Sequence, residues 1–130
     1  MDRLSGGEQR MAYLARVMLQ DAGCLLLDEP VSSLDLSRQH GFLGSLREYV
    51  HQRRADCLLT IHAPELAYAY ADRVLILHER RILMDGARDG AGFEEALRQA
   101  LRTLYGPALR VDTLDGALVL GWNPADHGTG

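Results

Sequence analysis

Two adjacent carboxylates, Asp28 and Glu29, close the apolar run Cys24-Leu25-Leu26-Leu27 and are followed at once by Pro30. A short unbroken apolar run stopped by proline predicts a parallel strand buried on both faces. Paired carboxylates at its end are costly unless they meet a cation, hydrogen bonds or water. Neighbouring side chains on a strand point apart, so the two can do different work. One could hold Mg²⁺ through its water shell while the other orients and deprotonates an attacking water; the plain alternative is that they cap the following turn. Upstream, Ser5-Gly6-Gly7-Glu8 also reads two ways. As a capping box, Ser5 bonds an orphan amide while Glu8 reaches back to the cap. As an anion site, the two glycines leave backbone amides exposed at a helix N-terminus, where the helix dipole favours a phosphate. Asp35 is placed to cap the helix that follows Ser33-Leu34, and His62 is either a structural or a catalytic histidine.

These residues need elements to hold them. Met11, Leu14, Ala15 and Met18 recur at helical spacing between Gly7 and Gln20, predicting a helix with one apolar face. A second helix is expected from Leu36 to Arg54, burying Phe42, Leu43, Leu46, Tyr49 and Val50. Cys57 to Ile61 reads as another buried strand ending at His62, and Pro64 opens a short helix through Tyr70. Val74 to Leu77 and Ile82 to Met84 form a hairpin whose connection, His78 to Arg81, lacks the Asn or Gly that tight turns prefer. A loop, Gly86 to Gly92, precedes an amphipathic helix from Phe93 to Leu104. A last hairpin, Leu109 to Leu120, turns at Asp115-Gly116. Residues Asn123 to Gly130 are expected to fray. Strands alternating with helices indicate an α/β fold with a largely parallel sheet flanked by helices. Ligands of such sheets gather beyond the carboxyl ends of the strands, where Asp28, Glu29 and His62 fall.

The 130 residues are 47% hydrophobic and 25% charged, an ordinary globular composition. A net charge of −4 gives no basic footprint for nucleic acid, so no nucleic-acid partner is expected. No apolar run approaches the roughly 20 residues of a membrane span and the first residues carry no signal-peptide core, so a cytoplasmic location is expected. Cys24 and Cys57 each open an apolar stretch and read as inert, buried thiols. All fourteen basic residues are arginine. A phosphate loop of the form Gly-x-x-x-x-Gly-Lys-Ser/Thr therefore does not lie within these residues.

Leu4-Ser5-Gly6-Gly7-Glu8, Leu25-Leu26-Leu27-Asp28-Glu29-Pro30, Ser33-Leu34-Asp35 and His62 follow one another at separations that count. Together they resemble the signature motif, Walker B motif, D-loop and switch histidine of the ABC ATPase family. The resemblance is close from Leu4 to about Gly86 and looser to Trp122. It implies a P-loop NTPase-like ABC ATPase core over residues 1–122, ending in the C-terminal hairpin, with a disordered tail at 123–130. It also implies ATP and Mg²⁺ as cofactors. Ser5, Gly6, Gly7 and Glu8 would lie against ATP held by a second ATPase subunit, with the first three on its γ-phosphate. Asp28 would serve Mg²⁺ through water, Glu29 would be the general base, His62 would contact the γ-phosphate, and Asp35 would couple the two sites of the dimer. The stretch Leu27 to Gln39, the segment Ala69 to Leu77 and the Tyr105-Gly106 step are most similar to importer subunits for iron-siderophore, haem or cobalamin. Departures are Ala63, where the family usually has Asp after the histidine, Val31 in place of Thr, and Met11 where Arg is frequent.

The resemblance makes this chain the C-terminal part of such a subunit, with the phosphate loop preceding it. The complete subunit would sit on the inner face of the cell membrane against transmembrane permease subunits. Two other readings stay open: part of a non-transport ABC ATPase, and a non-catalytic dimerisation fragment.

Overall fold

The computed structural model describes residues 5–123 and divides them into two units, up to Ala63 and from Pro64 onward.

In the first unit, helix α1 spans Gly6–Leu19, strand β1 Cys24–Leu27, helix α2 Leu36–Arg53 and strand β2 Asp56–Leu59. Both helices start where a side chain satisfies an orphan amide. Ser5 caps α1 and Asp35 caps α2. Helix α2 ends on Arg54, which takes the left-handed conformation usually given to glycine (φ 50°). Its buried stripe is Phe42, Leu43 and Leu46, with Tyr49 and Val50 only half-buried. The Tyr49 hydroxyl instead donates to Met18 O at 2.9 Å, and Arg53 pairs with Asp21 at 2.7 Å, tying α2 to the end of α1.

Strands β1 and β2 pair in parallel, Leu25 opposite Cys57 and Leu27 opposite Leu59. The expectation of two covered faces fails. Leu25 and Leu27 are buried, whereas Leu26 and Leu58, in register on the opposite face, are 72% and 60% exposed. A two-stranded sheet with helices of one short unit has only enough apolar surface for one side. For the same reason Cys24 is exposed, against expectation, and Cys57 is half-buried; burial, then the neighbouring Cys24, pushes the Cys57 thiol up from its ordinary value. Helix α1 departs likewise: Leu14 is buried, but Met11 is 41% exposed and Ala15 lies open.

The second unit contains α3 (Pro64–Tyr70), β3 (Arg73–His78), β4 (Arg81–Ala87), α4 (Phe93–Tyr105), β5 (Leu109–Leu114) and β6 (Ala117–Trp122). Its sheets are two antiparallel hairpins, so parallel pairing in the described residues is confined to β1 and β2. Helix α4 organises the core. Phe93, Leu97, Ala100 and Leu101 form one stripe at helical spacing, and it packs with Tyr68, Met84, Leu109 and Val111. Each fully buried leucine among them contributes about 1.5–3 kcal/mol.

The two hairpins solve their turns differently. Between β5 and β6, Asp115-Gly116 takes positive φ at both positions, as its composition predicts. Between β3 and β4 the same conformation falls on Glu79 (φ 48°) and Arg80 (φ 63°). Neither favours it, and the cost is roughly 1–2 kcal/mol each. What sustains the turn is the ladder behind it, including the bidentate Arg73–Asp85 pair at 2.6 and 2.8 Å. At the end of β6, Asn123 donates to Ala108 O at 3.2 Å, so the hairpin holds this first residue of the expected tail. Residues 124–130 lie outside the described residues.

Candidate functional site

The sequence-predicted residues all fall in the first unit and gather in two groups.

The first lies beyond the carboxyl ends of β1 and β2. Strand β1 stops at Leu27, so Asp28 and Glu29 belong to a turn and not to the strand. Strand alternation therefore does not set their side chains apart. The backbone of Glu29 is left-handed (φ 46°), a conformation that costs a residue with a side chain roughly 1–2 kcal/mol. The segment following β2 holds this turn. Thr60 N donates to Leu27 O at 3.0 Å, prolonging the parallel pairing by one residue. The Thr60 hydroxyl accepts from Glu29 N at 2.8 Å and donates to Asp28 Oδ1 at 2.6 Å. Two residues on, His62 Nε2 hydrogen-bonds Glu29 Oε1. The Glu29 side chain is 42% exposed and that of His62 83%. A carboxylate and an imidazole thus stand in contact with each other and open to solvent. The alternative that the two carboxylates only cap the next turn accounts for less: the Glu29 carbonyl accepts from Ser32, but both side chains are engaged with Thr60 and His62.

The second group is the start of α1 with the start of α2. Ser5 Oγ accepts from Glu8 N at 3.2 Å and Glu8 Oε2 accepts from Ser5 N at 2.9 Å, a complete capping box. The box engages the third helical amide, while those of Gly6 and Gly7 point out of the helix end. A phosphate reading is compatible with it, because the two readings use different amides. Asp35 accepts from Arg38 N at 2.8 Å, and the Arg38 guanidinium lies 3.8 Å from its other oxygen. The same guanidinium covers Gly7, where an added Cβ would stand 2.5 Å from Arg38 Nη1. Arg38 thus packs against the α1 terminus while it pairs with the Asp35 cap.

Two participants escaped the sequence reading. Thr60 was hidden inside an apolar run, and the signal was its being the run's one polar residue. Arg38 sits three residues past a capping aspartate, where a surface helix ordinarily carries charge. Neither position announces chemistry without the contacts.

Among the described residues no cluster of three or more His, Cys, Asp or Glu side chains could hold a metal unaided. One or two hard carboxylate oxygens with water and substrate phosphate is nevertheless the donor set that Mg²⁺ prefers, and Asp28 with its second oxygen fits that role.

No family model matches the chain. Hemin import ATP-binding protein HmuV of Vibrio vulnificus is 40% identical over 125 residues, covering 89% of this chain and 46% of that protein. Phosphonates import ATP-binding protein PhnC 3 of a Nostoc species is 36% identical over 83% of this chain and 39% of its own length. A solved structure of a metal-chelate type ABC transporter superposes with a TM-score of 0.66 at 24% identity, covering 92% of this chain and 47% of that one. At that identity the superposition establishes the fold, an α/β ABC-type ATPase core. The identities to the import proteins go further: the chain belongs to the family of ABC transporter ATP-binding subunits. It spans less than half the length of these relatives.

Proposed function

We propose that this chain is the part of an importer's ATP-binding subunit that hydrolyses ATP in its own site and closes the site of a second subunit. The observation that carries the proposal is the Glu29–His62 hydrogen bond beside Asp28, beyond the carboxyl ends of parallel strands. In this reading Glu29 takes the proton of the attacking water, His62 meets Glu29 and contacts the γ-phosphate, and Asp28 serves Mg²⁺ through water. The ion, when bound, neutralises charge on the phosphates. Ser5, Gly6, Gly7 and Glu8 present the α1 terminus to ATP on the partner, and Asp35, tied to it through Arg38, couples the two sites. Catalysis is then positioning and electrostatics, as in phosphoryl transfer generally.

The relatives' printed names, import ATP-binding proteins, support import; in this reading the complete subunit works against transmembrane permease subunits on the cytoplasmic side of the membrane. No helix of the described residues is long and apolar enough to cross a membrane itself. For the solute, a chelated iron compound such as haem is favoured, since hemin-import relatives reach 41% identity against 36% for phosphonate import.

The test compares this chain with a chimera in which the preceding half of a relative, carrying a lysine-bearing phosphate loop, is joined ahead of it. The chain alone is expected to release no phosphate from Mg-ATP above a Glu29→Gln control, because the amides and lysine that neutralise the β- and γ-phosphates are not in it. The chimera is expected to hydrolyse ATP. Phosphate release by the chain alone, or a folded chimera that dimerises and binds ATP but never turns over, would overturn the reading; the second result would favour a non-catalytic dimerisation role.

A further inference from the structure

The segment following β2 grips Glu29 at both ends, its amide through Thr60 and its carboxylate through His62. From this we infer that Thr60 is a positioning residue for hydrolysis, setting the Asp28 carboxylate and the Glu29 backbone through one hydroxyl. The inference rests on the proposed roles of Asp28 and Glu29 in ATP hydrolysis.

The direction of both bonds is fixed by chemistry. A backbone N–H can only donate, so Thr60 Oγ1 accepts from Glu29. An ionised carboxylate can only accept, so the single hydroxyl proton goes to Asp28 Oδ1. A hydroxyl that accepts one bond and donates another has no rotational freedom left. Asp28 is thereby held through Oδ1. Glu29 sits in a left-handed turn that its own conformational preference opposes, and the bond to its amide is one of the contacts that keep it there. The backbone of Thr60 is secured separately, by its N–H on Leu27 O at 3.0 Å. The hydroxyl can therefore be removed while the β1–β2 pairing survives, so its role is separable from the fold.

The comparison is between Thr60→Val, which keeps the β-branched shape and loses both bonds, and Thr60→Ser, which keeps the hydroxyl. In the chimera, residue-resolved hydrogen exchange in Thr60→Val should show the Glu29 amide exchanging roughly tenfold or more faster, while the residue-60 amide stays protected. Thr60→Ser should restore the Glu29 amide. In the ATP-hydrolysing chimera, Thr60→Val should lower kcat by about tenfold or more with KM for ATP within roughly twofold, and Thr60→Ser should recover most of it. Unchanged Glu29 exchange in Thr60→Val overturns the inference. So does unchanged kcat in Thr60→Val when Glu29→Gln is inactive, and the reading of the site then stands without it. If Glu29→Gln itself turns over normally, that reading fails, and the claim that Thr60 positions a catalytic pair falls with it.

Discussion

Glu29→Gln, introduced into the chimera that restores a phosphate loop, is expected to lower ATP turnover by about two to four orders of magnitude while leaving nucleotide binding intact. That range is what a positioned general base contributes. Gln has the volume and reach of Glu and can still meet His62, but its amide cannot take a proton from water. The turn should be unaffected, because the bond that holds it runs from the Glu29 backbone to Thr60. Steady-state phosphate release and fluorescent-nucleotide titration separate the two quantities: kcat falls and Kd does not. Turnover that survives the substitution would show that Glu29 is not the base. The control is Tyr49→Phe, which removes the hydroxyl's bond to Met18 O and should cost stability of about 1 kcal/mol without producing this split.

The second large effect concerns the chain by itself, which is expected to self-associate at micromolar concentration. Its β1–β2 sheet has two strands, hence an unpaired edge on each side, and one face carries Leu26 and Leu58 exposed next to each other. Flat apolar edges of this kind template pairing with another chain. Burying each leucine fully would return up to roughly 1.5–3 kcal/mol towards association between copies. Light scattering should report oligomers, and a hydrophobic dye should bind them. The double substitution Leu26→Lys and Leu58→Glu should suppress both signals, since a charged face resists stacking between copies while opposite charges across the ladder leave the chain's own β1–β2 pairing unopposed. A monodisperse monomer with a sharp cooperative melt and no dye binding would show that the chain covers this face unaided, and would defeat the expectation.

Much of the molecule follows from local rules that act within a few residues. The capping box of Ser5 and Glu8, the Asp35 cap, the stripe of Phe42, Leu43 and Leu46 and the turn at Asp115-Gly116 each depend on side chains near in sequence, and each occurs where those side chains predict it. The family, too, was legible, because the order and spacing of four short motifs survive in the chain. Burial was not. An apolar run reads the same whether one face or two are covered, and only the three-dimensional neighbours decided that Leu25 and Leu27 are inside while Leu26, Leu58 and Cys24 are out. The Glu79-Arg80 turn was equally hidden, since its local cost is met by a ladder formed by residues on both strands. For the site, the sequence determined which groups are chemically able to act, because carboxylate, imidazole and hydroxyl are properties of residue type. Tertiary structure alone decided which of them meet. Asp28 and Glu29 are thirty-two and thirty-three residues from Thr60 and His62 respectively. Their contacts exist because parallel pairing of β1 with β2 brings the two carboxyl ends side by side, a long-range relation that no local pattern encodes.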